Sequence, residues 1–76
     1  MKNLIEYIAK SVVDDPDGVK VREKRYGREV VLTLDVAQGD MGRVIGKRGR
    51  MANAMRSLLR VSAVKSGKQV SLEIGD

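Results

Sequence analysis

The chain has no cysteine and no histidine. The first absence excludes disulfides, thiol nucleophiles and cysteine-bound zinc, and the second removes the one side chain whose unperturbed pKa lies near neutrality. Catalysis would have to rest on carboxylates, lysines or hydroxyls alone, and no metal or other cofactor is expected. Phenylalanine and tryptophan are missing too, and Tyr7 and Tyr26 are the only aromatic rings, so a stacking platform for nucleobases lacks its main chemistry. No apolar run approaches the roughly 20 residues that a membrane span needs. The amino end meets charge within six residues and never reaches an unbroken apolar stretch of the signal-peptide kind. The expectation is a cytoplasmic protein with no membrane partner, to which the lack of cysteine adds a little. At 76 residues there is room for one domain, residues 1–76. Such a chain buries roughly 60–65% of its unfolded surface, too little for a deep enzyme pocket.

Acidic residues are scarce in one half only. Residues 1–40 carry seven Lys/Arg against eight Asp/Glu, whereas residues 41–76 carry eight Lys/Arg against Glu73 and Asp76, within a net charge of +5. From Met41 to Leu72 there is no acid at all, and that stretch holds Arg43, Lys47, Arg48, Arg50, Arg56, Arg60, Lys65 and Lys68. A one-sided basic field raises the local concentration of a polyanion and speeds its capture. A merely solvated basic face is the blander reading of the same run.

No linker, repeat or low-complexity tract interrupts the chain. Leu4, Ile5, Ile8, Ala9, Val12 and Val13 recur at helical spacing, with Asn3 as the expected N-cap and Asp14-Asp15-Pro16-Asp17-Gly18 as the stop. From Val19 to Tyr26 the pattern alternates, with an exposed far end, and Val30, Leu32, Leu34 and Val36 alternate with Val31, Thr33 and Asp35. These two strands, joined through Gly27, read as an antiparallel hairpin. Asp40 is placed to cap a short helix through Met41-Gly42-Arg43-Val44-Ile45 that Gly46 ends. A longer helix follows Gly49, with Met51, Met55, Leu58, Leu59 and Ser62 expected inward and Arg50, Asn53, Arg56 and Arg60 off that side. Ser66-Gly67-Lys68 closes it, and Val70, Leu72 and Ile74 form a last strand. The order is α-β-β-α-α-β, an α+β fold whose three-stranded sheet has helices packed on one face.

The most informative run is Val44-Ile45-Gly46-Lys47-Arg48-Gly49, two glycines around two cations between two helices. A loop that presses its main chain against a polyanion tolerates no Cβ at the contact and often needs φ > 0 there. The N–H groups of Lys47 to Arg50 would lie where a loop enters a helix N-terminus, which favours a phosphate. Lys47 and Arg48 add charge, and Arg43 and Arg50 flank them. Bases would lie in an apolar groove between the helices and the second strand, lined by some of Gly42, Val44, Ile45, Met51 and Ala52, with Leu32 or Leu34 as floor. Either glycine alone would read as an ordinary C-cap or turn. A nucleotide P-loop is excluded, because Gly42 to Arg48 is one residue too short and Arg48 stands where a magnesium-binding Ser or Thr belongs.

The loop and the element order together resemble the K-homology (KH) domain, type II, in which a G-x-x-G loop links two helices and clamps about four nucleotides. The run Asp40 to Arg50 is similar to the small stand-alone bacterial proteins of the KhpA family. That resemblance, which covers nearly the whole chain, implies single-stranded RNA as partner and a non-catalytic role as RNA chaperone or regulator. It implies a homodimer, or a heterodimer with a larger KH-containing protein of the Jag (KhpB) type. A protein-interaction adaptor, with the KH fold serving mainly for dimerisation, is the competing expectation. Met51 and Met55 stand where such proteins commonly place β-branched aliphatics, and Asn53 where several carry a cation.

Overall fold

The computed structural model describes residues 2–75. Helix α1 spans Lys2–Val12 and buries Ile5 and Ala9, with Ile8, Val12 and Val13 packed against the same core. It runs from Lys2, so Asn3 lies inside the first turn and is not its cap. Asn3 is exposed, and solvent-facing residues ahead of the first buried one can extend a helix without disturbing its packing. The stop falls as expected, with a single 3-10 turn at Pro16–Gly18.

Strands β1 (Lys20–Tyr26) and β2 (Glu29–Asp35) pair antiparallel from Lys20 opposite Asp35 to Tyr26 opposite Glu29. This leaves Gly27-Arg28 as a two-residue turn, with Gly27 at φ +63°. Strand β3 (Gln69–Gly75) joins the other side of β2 in parallel, giving the order β1-β2-β3. A parallel neighbour needs a crossover connection, and the segment between the two strands supplies it. It contains α2 (Met41–Ile45) and α3 (Arg50–Ser66).

Register places Val21, Leu34 and Ile74 in one row, then Leu32 beside Leu72 and Val30 beside Val70. That face packs on the helices, and β2, flanked on both sides, has Val30, Leu32 and Leu34 fully buried. Burial of side chains of this size contributes about 1.5–3 kcal/mol each, so β2 is the spine of the core. On the opposite face Arg22, Thr33 and Glu73 share a row, and Arg22 pairs with Asp35 at 2.9 Å. At the outer end of β1, Glu23 and Arg25 pair with each other at 2.9 Å.

Helix α3 is rotated from the expected phase. Ala52, Met55, Leu59 and Ala63 are its buried residues, whereas Met51 is half-buried and Leu58 exposed. The inward line follows i, i+3, i+7, i+11, and its alanines let the helix approach the sheet more closely than a line of larger side chains would. Leu58, Val61 and Val64 therefore form an outward apolar stripe, 48%, 59% and 74% exposed. The helix ends on Gly67 at φ +67°, with Lys68 N–H donating to Ala63 C=O at 2.9 Å and Gly67 N–H to Val64 C=O at 3.2 Å, the hydrogen-bond pair of a Schellman cap.

Candidate nucleic-acid interface

The glycine loop is built by backbone conformations that most residues avoid. Gly46 leaves the helical region at φ +76°, ψ 173°, while its N–H closes the last turn of α2 on Gly42 C=O at 2.9 Å. Glycine is required there twice over, because a Cβ would also sit 2.9 Å from both the N and the Cβ of Met51. Lys47–Gly49 is a 3-10 turn in which Arg48 holds φ 56°, ψ 26°, a left-handed state that costs a non-glycine residue about 1–2 kcal/mol. With Gly49 at φ +75°, three of the four loop residues have positive φ. Lys47, Arg48 and Arg50 are exposed.

The loop's own hydrogen bonds reduce the expected set of donors. Gly49 N–H donates to Gly46 C=O at 3.2 Å and Arg50 N–H to Lys47 C=O, so these two groups are engaged internally. The amides of Lys47 and Arg48 take part in neither bond, and no side chain caps the start of α3. Backbone donors and the positive end of a 17-residue helix thus lie beside two exposed cations, an arrangement suited to a phosphate.

The flanking residues separate into surface and core. Gly42 and Ile45 are exposed and Met51 is half-buried against Gly46. Val44 and Ala52 are buried, as are Leu32 and Leu34, and Met55 is core as well. The groove therefore cannot have β2 as its floor, because the strand lies at the centre of the sheet under the helices. Arg43 is engaged by acids, with Nη2 3.0 Å from Asp14 Oδ2 and Nε 3.5 Å from Asp40 Oδ1. Asp40 does not cap α2 with its side chain. It is 4% exposed, and its two carboxylate oxygens accept the N–H groups of Asp14 and Asp15 at 3.1 Å each. Those amides follow the end of α1 and would otherwise be unpaired in a partly buried place, which explains why the carboxylate turns to them.

An open cleft of about 200 Å³ lies instead between α3 and β3, lined by Arg56, Leu59, Arg60, Val70, Ser71 and Leu72. Strand β3 is a sheet edge. Asn53, Arg56 and Arg60 recur at i, i+3, i+7, and the Asn53 amide nitrogen is 3.8 Å from a Cβ built on Gly49, so this row leads from the loop into the cleft. In the sequence Arg56 and Arg60 stand out only as general charge; their common spacing with Asn53, starting beside the loop, is the signal for a polar line with two cations. Among the described residues no group of three or more acids is placed to hold a metal ion, and no helix is long and apolar enough to cross a membrane.

Helices and strands in the order α-β-β-α-α-β, a mixed three-stranded sheet and a G-x-x-G loop between α2 and α3 define a KH domain of type II. The family model described as KhpA/KhpB, KH domain matches residues 2–74, and the chain belongs to that family. It is 51% identical to the RNA-binding protein KhpA of Clostridium acetobutylicum over 97% of this chain and 99% of that one. It is 46% identical to the protein of the same name from Halalkalibacterium halodurans over the full length of both. The corresponding figures for that of Aquifex aeolicus are 43% identity over 97% and 94%. No solved structure matches the chain.

Proposed function

We propose that the protein is a non-catalytic RNA-binding protein, an RNA chaperone or regulator, whose Gly46-Lys47-Arg48-Gly49 loop clamps the backbone of single-stranded RNA. The observation that carries this is the loop itself, with positive φ at three of four positions and exposed cations that have no acid partner among the described residues. Relatives named RNA-binding proteins support the same reading. Residues 1–76 act as one KH domain. A phosphate lies on the free loop amides and the start of α3, Lys47, Arg48 and Arg50 attract its neighbours, and Gly42, Ile45 and Met51 border the chain's path toward the cleft. Arg43 joins only by exchanging Asp14 for a phosphate. An RNA ligand and a chain without cysteine fit a cytoplasmic site of action.

One such domain binds weakly, with roughly micromolar affinity, or about −8 kcal/mol. If three or four phosphates are neutralised, the logarithm of the affinity falls with the logarithm of salt at a slope of about −2 to −3, from roughly −0.7 per contact on a single strand. Fluorescence anisotropy on a short oligoribonucleotide at graded salt measures this, and a slope near zero contradicts a backbone clamp.

A second role is favoured by the stripe of Leu58, Val61 and Val64, bordered by Arg60 and Lys65. We propose that it makes a homodimer, or the pairing with a larger KH-containing protein of the Jag (KhpB) type. For the homodimer, sedimentation equilibrium of the wild type and Val61→Glu is the test: a wild-type dimer that the variant dissociates supports it, and a wild-type monomer rejects it.

A further inference from the structure

The guanidinium of Arg56 stands at the cleft between α3 and β3 with its hydrogen bonds incomplete. Its Nε and Nη2 are both 3.4 Å from one oxygen, the carbonyl of Leu72. This edge of a guanidinium presents two parallel donors and fits two adjacent acceptors. Here it shares one, at long distance. Nη1 is 3.5 Å from Asn53 Oδ1, and no acid pairs with Arg56 among the described residues.

The cleft combines apolar walls with two guanidinium groups. Leu59, Val70 and Leu72 supply apolar surface in a volume of about 200 Å³, and the guanidinium planes of Arg56 and Arg60 replace the aromatics that the chain lacks there. One wall is the unpaired edge of β3. Gln69 N–H turns inward to Arg28 C=O, whereas Leu72 C=O faces α3 and is reached by Arg56. By strand alternation the N–H and C=O groups of Val70, Leu72 and Ile74 face out of the sheet. A group entering the cleft meets a donor fork on one side and backbone donors and acceptors on the other.

We propose that Arg56 is a specificity-determining residue that reads a base with two adjacent acceptors on one edge, selecting guanine or cytosine over adenine and uracil. The inference rests on the reading of the glycine loop as an RNA clamp. Guanine offers O6 and N7, and cytosine offers O2 and N3 on its pairing edge. Adenine places an amino donor beside each acceptor of its exposed edges, and uracil separates its two oxygens by an N–H, so neither completes the fork. When the fork turns to the base, Leu72 C=O is released to accept an N–H from the base, and both guanine and cytosine carry one.

The test uses short oligouridines, plain or with one central guanine, cytosine or adenine, titrated by anisotropy against the wild type and Arg56→Lys. Lysine keeps the charge and loses the fork, and circular dichroism confirms its fold. The wild type is expected to bind the guanine or cytosine oligonucleotide about tenfold more tightly than the adenine and plain ones. The two arms show which of the two bases it takes. Arg56→Lys is expected to erase the preference, so that the favoured oligonucleotide loses about tenfold more affinity than plain oligouridine does, with the salt slope intact. Equal weakening of all four oligonucleotides, with any base preference of the wild type kept, would make Arg56 a contact that reads no base and overturn the inference. Salt-dependent binding by the wild type without base preference overturns it too, yet leaves the loop clamp standing. No binding to any of them sinks both.

Discussion

Two turns in this protein combine glycine with arginine, and they are built differently. At the hairpin tip Gly27 adopts φ +63° with nothing within 4 Å of where a Cβ would stand. In the loop between α2 and α3, Gly46 adopts φ +76° with the N and Cβ of Met51 2.9 Å from that point, and Arg48 is held left-handed without being glycine. The hairpin asks only for a backbone conformation. The loop asks for conformation and closeness together, and strain persists in a fold only where the surroundings enforce it. Charge follows the same division. Every ion pair among the described residues takes its acid from the first 40 positions, and of the cations after Met41 only Arg43 has one.

This contrast can be broken or sharpened by substitution. Gly46→Ala meets both left-handed strain and a clash with Met51 and is expected to cost about 3 kcal/mol, against about 1 kcal/mol for Gly27→Ala, where strain acts alone. Urea denaturation of the two variants measures the difference; equal costs would mean that the contact with Met51 relaxes freely. A smaller effect is expected at Asp40, whose removal tests the strap between the α1 stop and α2 and not the loop. Asp40→Ala leaves the amides of Asp14 and Asp15 without acceptors and is expected to destabilise by about 2 kcal/mol, with RNA affinity of the folded protein within about twofold of wild type. An affinity loss as large as that of a loop variant would show that Asp40 shapes the interface.

Much of this architecture was legible in the chain because its elements are set by local pattern. The alternation of Val30, Leu32 and Leu34 marked β2, and Gly46 and Gly49 marked the break between two helices. What local pattern does not contain is the neighbour across space. Strand order decided that β2 is central and β3 an edge, which buries Leu32 and Leu34 and leaves an open cleft beside Val70, Ser71 and Leu72. Sheet contact chose the phase of α3, favouring Ala52 and Ala63 over the larger Met51 and Leu58. Asp40 sat at a capping position, and its partners were 25 and 26 residues away. The left-handed Arg48 was hidden for another reason, since arginine carries no signal for positive φ.

The proposed function requires that the loop, and not basic charge in general, hold RNA. Its most direct test compares two variants of equal net charge by anisotropy on one single-stranded oligoribonucleotide, with circular dichroism as the check on folding. Lys47→Asp with Arg48→Asp reverses the loop, and Lys24→Asp with Arg28→Asp reverses two exposed cations of the hairpin. The loop variant is expected to lose at least about tenfold in affinity, or about 1.4 kcal/mol. The hairpin variant is expected to change by less than about threefold, because its charges act only through screened distance. Equal losses in two folded variants would contradict the clamp and leave only a diffuse basic field.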